Sequence, residues 1–129
     1  MRLMTSTGSD VPLLKRLQAA RWRAGLRCPR CASPRCGVFM REDASGRRKL
    51  RCLACGRVFN DLTGTPMARS HLPLTAWHRA ARLMLDGEPS CADLARRLGV
   101  KISTAWRLRR ALRAVLADPV LRPVFMEAL

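Results

Sequence analysis

Apolar positions along the chain change their period twice. Over residues 11 to 24, Val11, Leu14, Leu17, Ala20 and Trp22, with Gln18 beside them, recur near helical spacing. Ser9 or Asp10 is placed to cap this lead-in helix, Pro12 is tolerated in its first turn, and Gly25 stops it. From Cys28 to Asn60 the pattern shortens. Val38 to Met40, Lys49 to Cys52 and Val58 to Phe59 read as three brief strands, the first two joined at Ser45-Gly46. Beyond Gly64 and Pro66 the helical period returns, with Leu74, Trp77, Ala81, Met84 and Leu85 on one face of a helix that follows Pro73 and ends at Asp86-Gly87-Glu88-Pro89. A second helix runs from a Ser90 cap to about Leu98, Gly99 makes a turn, and a third begins near Ser103 and reaches about Ala117. Asp118-Pro119 closes it and leaves a short tail. The chain carries no internal repeat and no low-complexity tract.

The pattern predicts a small α+β protein. Its parts are an N-terminal helix within 1–24, a three-stranded ribbon in 25–62, a linker at 63–72, a three-helix module in 73–117 and a tail at 118–129. A length of 129 residues suits one ordinary domain or two very small ones, so a second module must economise on core, and a large catalytic cleft is disfavoured.

Charge sharpens this picture. Lys and Arg number 25 against 9 Asp and Glu, a formal balance of +16 that a compact chain tolerates best beside a polyanion. Coding bias explains why only Lys15, Lys49 and Lys101 are lysines, but it does not explain the shortage of acids. Nucleic acid is therefore the expected partner. No stretch is apolar enough to span a bilayer, so no membrane association is expected.

Six cysteines would suit a secreted disulfide scaffold, yet Met1 to Asp10 lacks the apolar run of an export signal. The thiols are then expected to be reduced, and in a reducing compartment paired Cys-x-x-Cys spacings read as metal ligands. Cys28-Pro29-Arg30-Cys31 and Cys52-Leu53-Ala54-Cys55 are two such knuckles separated by twenty residues. Each knuckle aims two thiolates at one point, and together they complete a tetrahedral zinc shell with no open position, which makes the single Zn²⁺ structural rather than catalytic. Zinc contributes about 10 to 16 kcal/mol in small peptides, more than Val38, Phe39, Leu50 and Phe59 could supply as a core. Four thiolates and one divalent ion together remove only two of the +16 charges. Cys36, five residues after Cys31, competes as a ligand or opens the first strand as a small buried side chain. Cys91, His71 and His78 read as packing or capping residues.

The segment Cys91 to Arg110 fits the helix-turn-helix template. Leu94, Ala95, Leu98, Val100, Ala105 and Leu108 fall at inward positions, and Gly99 sits where the tight turn needs a positive φ. A three-helix packing motif without DNA has similar spacing; charge placement favours DNA, because no acid lies between Val100 and Ala117. Lys101, Ser103, Arg107 and Arg110 are the outward-facing candidates for base contact, with Arg113 beside them. Trp106 stays open between core and DNA contact. In the ribbon, Arg30, Arg35, Arg41, Arg47, Arg48, Lys49, Arg51 and Arg57 face only Glu42 and Asp43, so this module is expected to grip phosphates, Arg47, Arg48 and Lys49 foremost.

These residues together resemble a known family, the ISXO-like insertion-sequence transposases with an N-terminal zinc ribbon. Arg21-Trp22-Arg23-Ala24-Gly25 leading into the first knuckle, then the second knuckle with Phe59, Thr63-Gly64-Thr65, Ser70, Leu72-Pro73-Leu74 and Trp77, are similar to that family's ribbon and following linker. Leu94 to Val100 and Thr104-Ala105-Trp106 look like its helix-turn-helix, and the resemblance covers roughly residues 11 to 116. Ala32 stands where the family usually has glycine, Cys36 is extra, and Leu129 falls about where the family's catalytic domain would begin. Neither Asp118, Glu127 nor the earlier acids form a Mg²⁺-binding constellation, so strand cleavage by this chain alone is not expected. The resemblance implies a bacterial, cytoplasmic, nucleoid-associated protein that binds double-stranded DNA, at transposon ends or its own promoter, as a regulator or targeting factor; a homodimer is compatible. One alternative is a part of a transposase that works with a separate catalytic chain. Another is a zinc ribbon that contacts RNA or protein.

Overall fold

The protein is described by a computed structural model at residues 10–41, 47–68, 70 and 72–126. The expected Ser9 cap, the Ser45-Gly46 turn, Glu42, Asp43, His71 and Glu127 lie outside the described residues, as does the side chain of Arg41. In chain order the elements are α1 (Val11–Arg21), β1 (Cys36–Arg41), β2 (Arg48–Cys52), β3 (Val58–Phe59), α2 (Leu74–Gly87), α3 (Cys91–Leu98), α4 (Ile102–Ala117) and α5 (Arg122–Met126). The class is α+β, with an antiparallel sheet in the order β1-β2-β3. No helix among the described residues is long and apolar enough to cross a membrane.

Buried apolar side chains form two clusters. The larger gathers Leu74, Trp77, Ala81 and Met84 of α2, Leu94, Ala95 and Leu98 of α3, and Ala105, Leu108, Leu112 and Val115 of α4. Leu85, expected on the inward face of α2, lies at the rim, 39% exposed. The smaller cluster holds Cys28, Leu50, Cys52 and Phe59, with Trp22, Leu26 and Cys36 packed against it.

Val38 and Phe39, expected to fill the ribbon core, are 49% and 50% exposed instead. The register explains part of this: Val38 pairs with Leu50 and Met40 with Lys49, so Phe39 is an extra residue in the ladder. Its ring lies under the Arg51 guanidinium, 5.5 Å from the ring centroid.

The N-terminal helix is more than a lead-in. Leu13, Leu14 and Leu17 are buried in the larger cluster, while Trp22, just past the helix end, joins the smaller one. α1 stops at Arg21, three residues before the expected end at residue 24. Asp10 occupies the N-cap position of α1 but makes no side-chain cap there. Its carboxylate instead accepts the backbone N–H groups of Leu74 and Thr75, at 2.9 and 3.1 Å. Those are first-turn donors of α2, whose own N-cap residue, Pro73, has no side-chain acceptor to offer.

The expected linker and tail are both packed. Met67 is fully buried, and Ser70 Oγ accepts the indole N–H of Trp77 at 3.0 Å. After Ala117 the Asp118 carboxylate accepts the N–H groups of Val120 and Leu121, at 2.8 and 3.3 Å, turning the chain back so that Leu121, Val124 and Phe125 are buried. The step from α3 to α4 follows the sequence reading closely. Ser90 accepts the Asp93 N–H at 3.1 Å, and Gly99 adopts φ 68° and ψ 36°, which lets Val100 N–H reach Ala95 O at 3.0 Å.

Candidate metal centre and cationic faces

Two tight turns position the four cysteines. In the first, Ala32 N–H bonds Cys28 O at 2.8 Å; in the second, Gly56 N–H bonds Cys52 O at 2.9 Å. Each turn ends in a left-handed residue, Ala32 at φ 62° and Gly56 at φ 79°. The two knuckles therefore share one geometry although only one has the glycine that geometry favours. The backbone N–H groups of Arg30 and Cys55 point at the Cys28 and Cys52 sulfurs, at 3.4 and 3.5 Å. Such donors favour the thiolate form.

The sulfurs of Cys28, Cys31, Cys52 and Cys55 all lie within 4.8 Å of one another. Cys28 and Cys55 are 3.6 Å apart and Cys31 and Cys52 3.5 Å, far beyond the roughly 2.05 Å of a disulfide. A tetrahedron with metal–sulfur bonds of about 2.3 Å has edges of about 3.8 Å, so these thiols fit one tetrahedral metal ion. The shortest separations need to widen only slightly. Cys28 and Cys52 are buried and Cys31 and Cys55 exposed, which closes the inner half of the shell with the small core.

Crowding spreads the thiol acidities. The Cys55 backbone N–H, working against burial, lowers Cys52 to about 6. Cys31 is pushed up to about 12: a backbone hydrogen bond with Ser33 favours its thiolate, but its neighbours Cys52, Cys28 and Cys55 outweigh it. Cys36 stands outside the quartet. It opens β1 opposite Cys52, donates its thiol to Ser33 O at 3.3 Å, and is raised by burial. Cys91 is half-buried at the start of α3, and His78 is buried within α2.

A polar centre that the sequence reading missed lies beneath the ribbon. Asp61 is 3% exposed, and its carboxylate accepts from Gln18 Nε2 at 3.1 Å, Trp22 Nε1 at 2.9 Å and the Arg48 guanidinium at 3.0 to 3.3 Å. Its carbonyl accepts Arg21 Nη1 at 2.6 Å, while Arg21 Nη2 bonds Thr63 O. Gly64, at φ 84°, leaves room for this guanidinium, since a β-carbon there would stand 3.1 Å from Arg21 Nη2. A lone aspartate between Asn60 and Leu62 gives no local signal; only the fold reveals four donor residues converging on it.

The cationic candidates divide accordingly. Arg48 is engaged by Asp61, and Arg47 lies 3.7 Å from Asp10, whereas Lys49 is exposed on the sheet. Lys101, Ser103, Arg107, Arg110 and Arg113 are all exposed along α4. Trp106 is 53% exposed, so it belongs to the surface rather than the core, and the Arg110 guanidinium lies 5.5 Å from its ring centroid.

The chain is 31% identical over 100 residues to an uncharacterized protein in transposable element ISH50 of Halobacterium salinarum. That similarity covers 77% of this chain but 33% of the relative, so the chain spans about a third of the relative's length. No family model matches the chain, and no solved structure matches it.

Proposed function

We propose that the chain is a zinc-dependent binding module for double-stranded DNA, related to transposases, in which α3 and α4 form a helix-turn-helix and α4 enters the major groove. The observation that carries this reading is the outer face of α4. Four cations, Lys101, Arg107, Arg110 and Arg113, are exposed on a helix without a single acid. Lys101 stands at its N-cap and makes no side-chain cap, so the helix presents both a positive dipole end and fixed positive charge. A polyanion relieves that repulsion, and arginine forks match guanine N7 and O6 in the major groove. Lys49 and the exposed Arg51 of β2 add phosphate contacts from the ribbon, which Zn²⁺ in the Cys28, Cys31, Cys52 and Cys55 site holds in shape.

This chain then acts by binding rather than by cleaving strands. It serves as a regulator or targeting factor in the cytoplasm, alone or as a homodimer. A second reading is favoured by the relative's place in a transposable element: the chain is one component of a transposase that works with a catalytic domain.

Mobility-shift titration of the zinc-loaded chain against genomic duplex fragments tests the proposal. With about six phosphates neutralised, log affinity should fall against log salt with a slope near −5. Arg107→Ala should weaken the best fragment roughly tenfold while leaving random duplex nearly unchanged, as expected for loss of a base contact of about 1 to 3 kcal/mol. No duplex binding at low salt, or stronger binding to folded RNA, would overturn it.

A further inference from the structure

The cations of α4 are interrupted by apolar side chains that no core claims. Ala105, Leu108, Leu112 and Val115 take the inward face, whereas Ile102 and Trp106, one turn apart, are 61% and 53% exposed. With Arg110 a further turn along and lying over the Trp106 ring, they make a column that is apolar first and cationic after. An exposed branched aliphatic and an indole in adjacent turns lose hydration free energy until something apolar covers them.

What covers them is constrained by charge. A second copy of the chain would set Lys101, Arg107 and Arg110 against their own equivalents across a two-fold axis, and like charges so placed repel. The major groove offers acceptor atoms for the arginines and, at thymine alone, a methyl group. On the reading given under Proposed function, we infer that Ile102 and Trp106 are specificity residues that read thymine C5-methyl groups beside a guanine held by Arg110. Four residues of helix rise about 6 Å, and base pairs are stacked about 3.4 Å apart, so the thymine and guanine lie within about two base pairs of each other.

Uracil, which lacks only the methyl, is the probe. The zinc-loaded full chain selects duplexes from a random 20-bp pool, and the best sequence is remade with each thymine replaced in turn by deoxyuridine. Affinity should fall about fourfold at one or two positions, the effect of withdrawing one methyl from apolar contact. Trp106→Ala and Ile102→Ala, both at exposed positions and with the fold checked by circular dichroism, should each bind the thymine and uracil duplexes more nearly alike. Equal binding of both duplexes by the unaltered chain would overturn the inference while leaving DNA binding itself standing; so would full discrimination by both variants. A sedimentation shift from dimer to monomer in Trp106→Ala, with uracil discrimination unchanged, would assign the patch to self-association and equally overturn it. Failure to select any duplex would remove the functional reading and this inference together.

Discussion

Ala32 is held at φ 62°, a conformation that costs an L-residue with a β-carbon and costs glycine nothing. Gly56, at the matching place in the second knuckle, shows what the geometry prefers. Ala32→Gly should therefore stabilise the metal-loaded protein by about 1 kcal/mol after glycine's extra unfolded-state entropy is counted, seen as a higher denaturant midpoint at unchanged slope. The thiols give a second residue-level expectation. Cys52 is lowered from an ordinary 9.0 to about 6, so its contribution to the metal-free fold is complete above about 9 and is lost as pH falls through about 6. Metal capture needs all four thiolates, so protons compete with the ion, and release of zinc to a chromophoric chelator should accelerate as pH falls. Metal retained without loss at pH 4.5 would contradict the four-thiolate assignment. The knuckles were legible in the sequence because metal-ligand spacing is a local property. Asp61 was not, because its donors come from residues thirteen to forty-three positions away.

At the scale of elements, periodicity located α2, α3 and α4 closely, since each carries an apolar stripe facing a shared core. It failed where an element's stabilising partner is distant. Asp10 reads as the cap of the helix it begins, yet its carboxylate caps α2 across 64 residues of chain, because Pro73 leaves those N–H groups unserved. Likewise Leu121, Val124 and Phe125 looked like a tail because five residues of α5 are too few to show a period. Asp10→Ala should cost about 1 kcal/mol, a typical loss for a removed cap. Hydrogen exchange should locate it: the Leu74 and Thr75 amides should lose protection while those of α4 keep theirs. Unchanged protection at both amides would show that water or a neighbour caps α2 equally well.

For the whole molecule, order along the chain and order in space differ. α1 precedes the ribbon but gives Leu13, Leu14 and Leu17 to the helical cluster and, through Trp22, reaches the ribbon cluster, where the indole meets Phe59 edge-on at 6.3 Å. Asp61 fastens this arrangement by joining Gln18 and Trp22 to Arg48 of β2. The cysteine-bearing ribbon and the helical cluster are thus joined through α1, by the Asp61 carboxylate and the Trp22–Phe59 contact, rather than strung on a linker. Asp61→Ala strands the Arg48 guanidinium, itself 20% exposed, and leaves the Trp22 and Gln18 donors unpaired, which should cost about 3 kcal/mol. α1 stays anchored to the helices by its three leucines, so the ribbon should detach first. Metal release should then report the ribbon unfolding at lower denaturant than the helical circular-dichroism signal, where the unaltered protein is expected to show coincident transitions. Coincident transitions at an unshifted midpoint in Asp61→Ala would mean that the apolar contacts alone join the two halves.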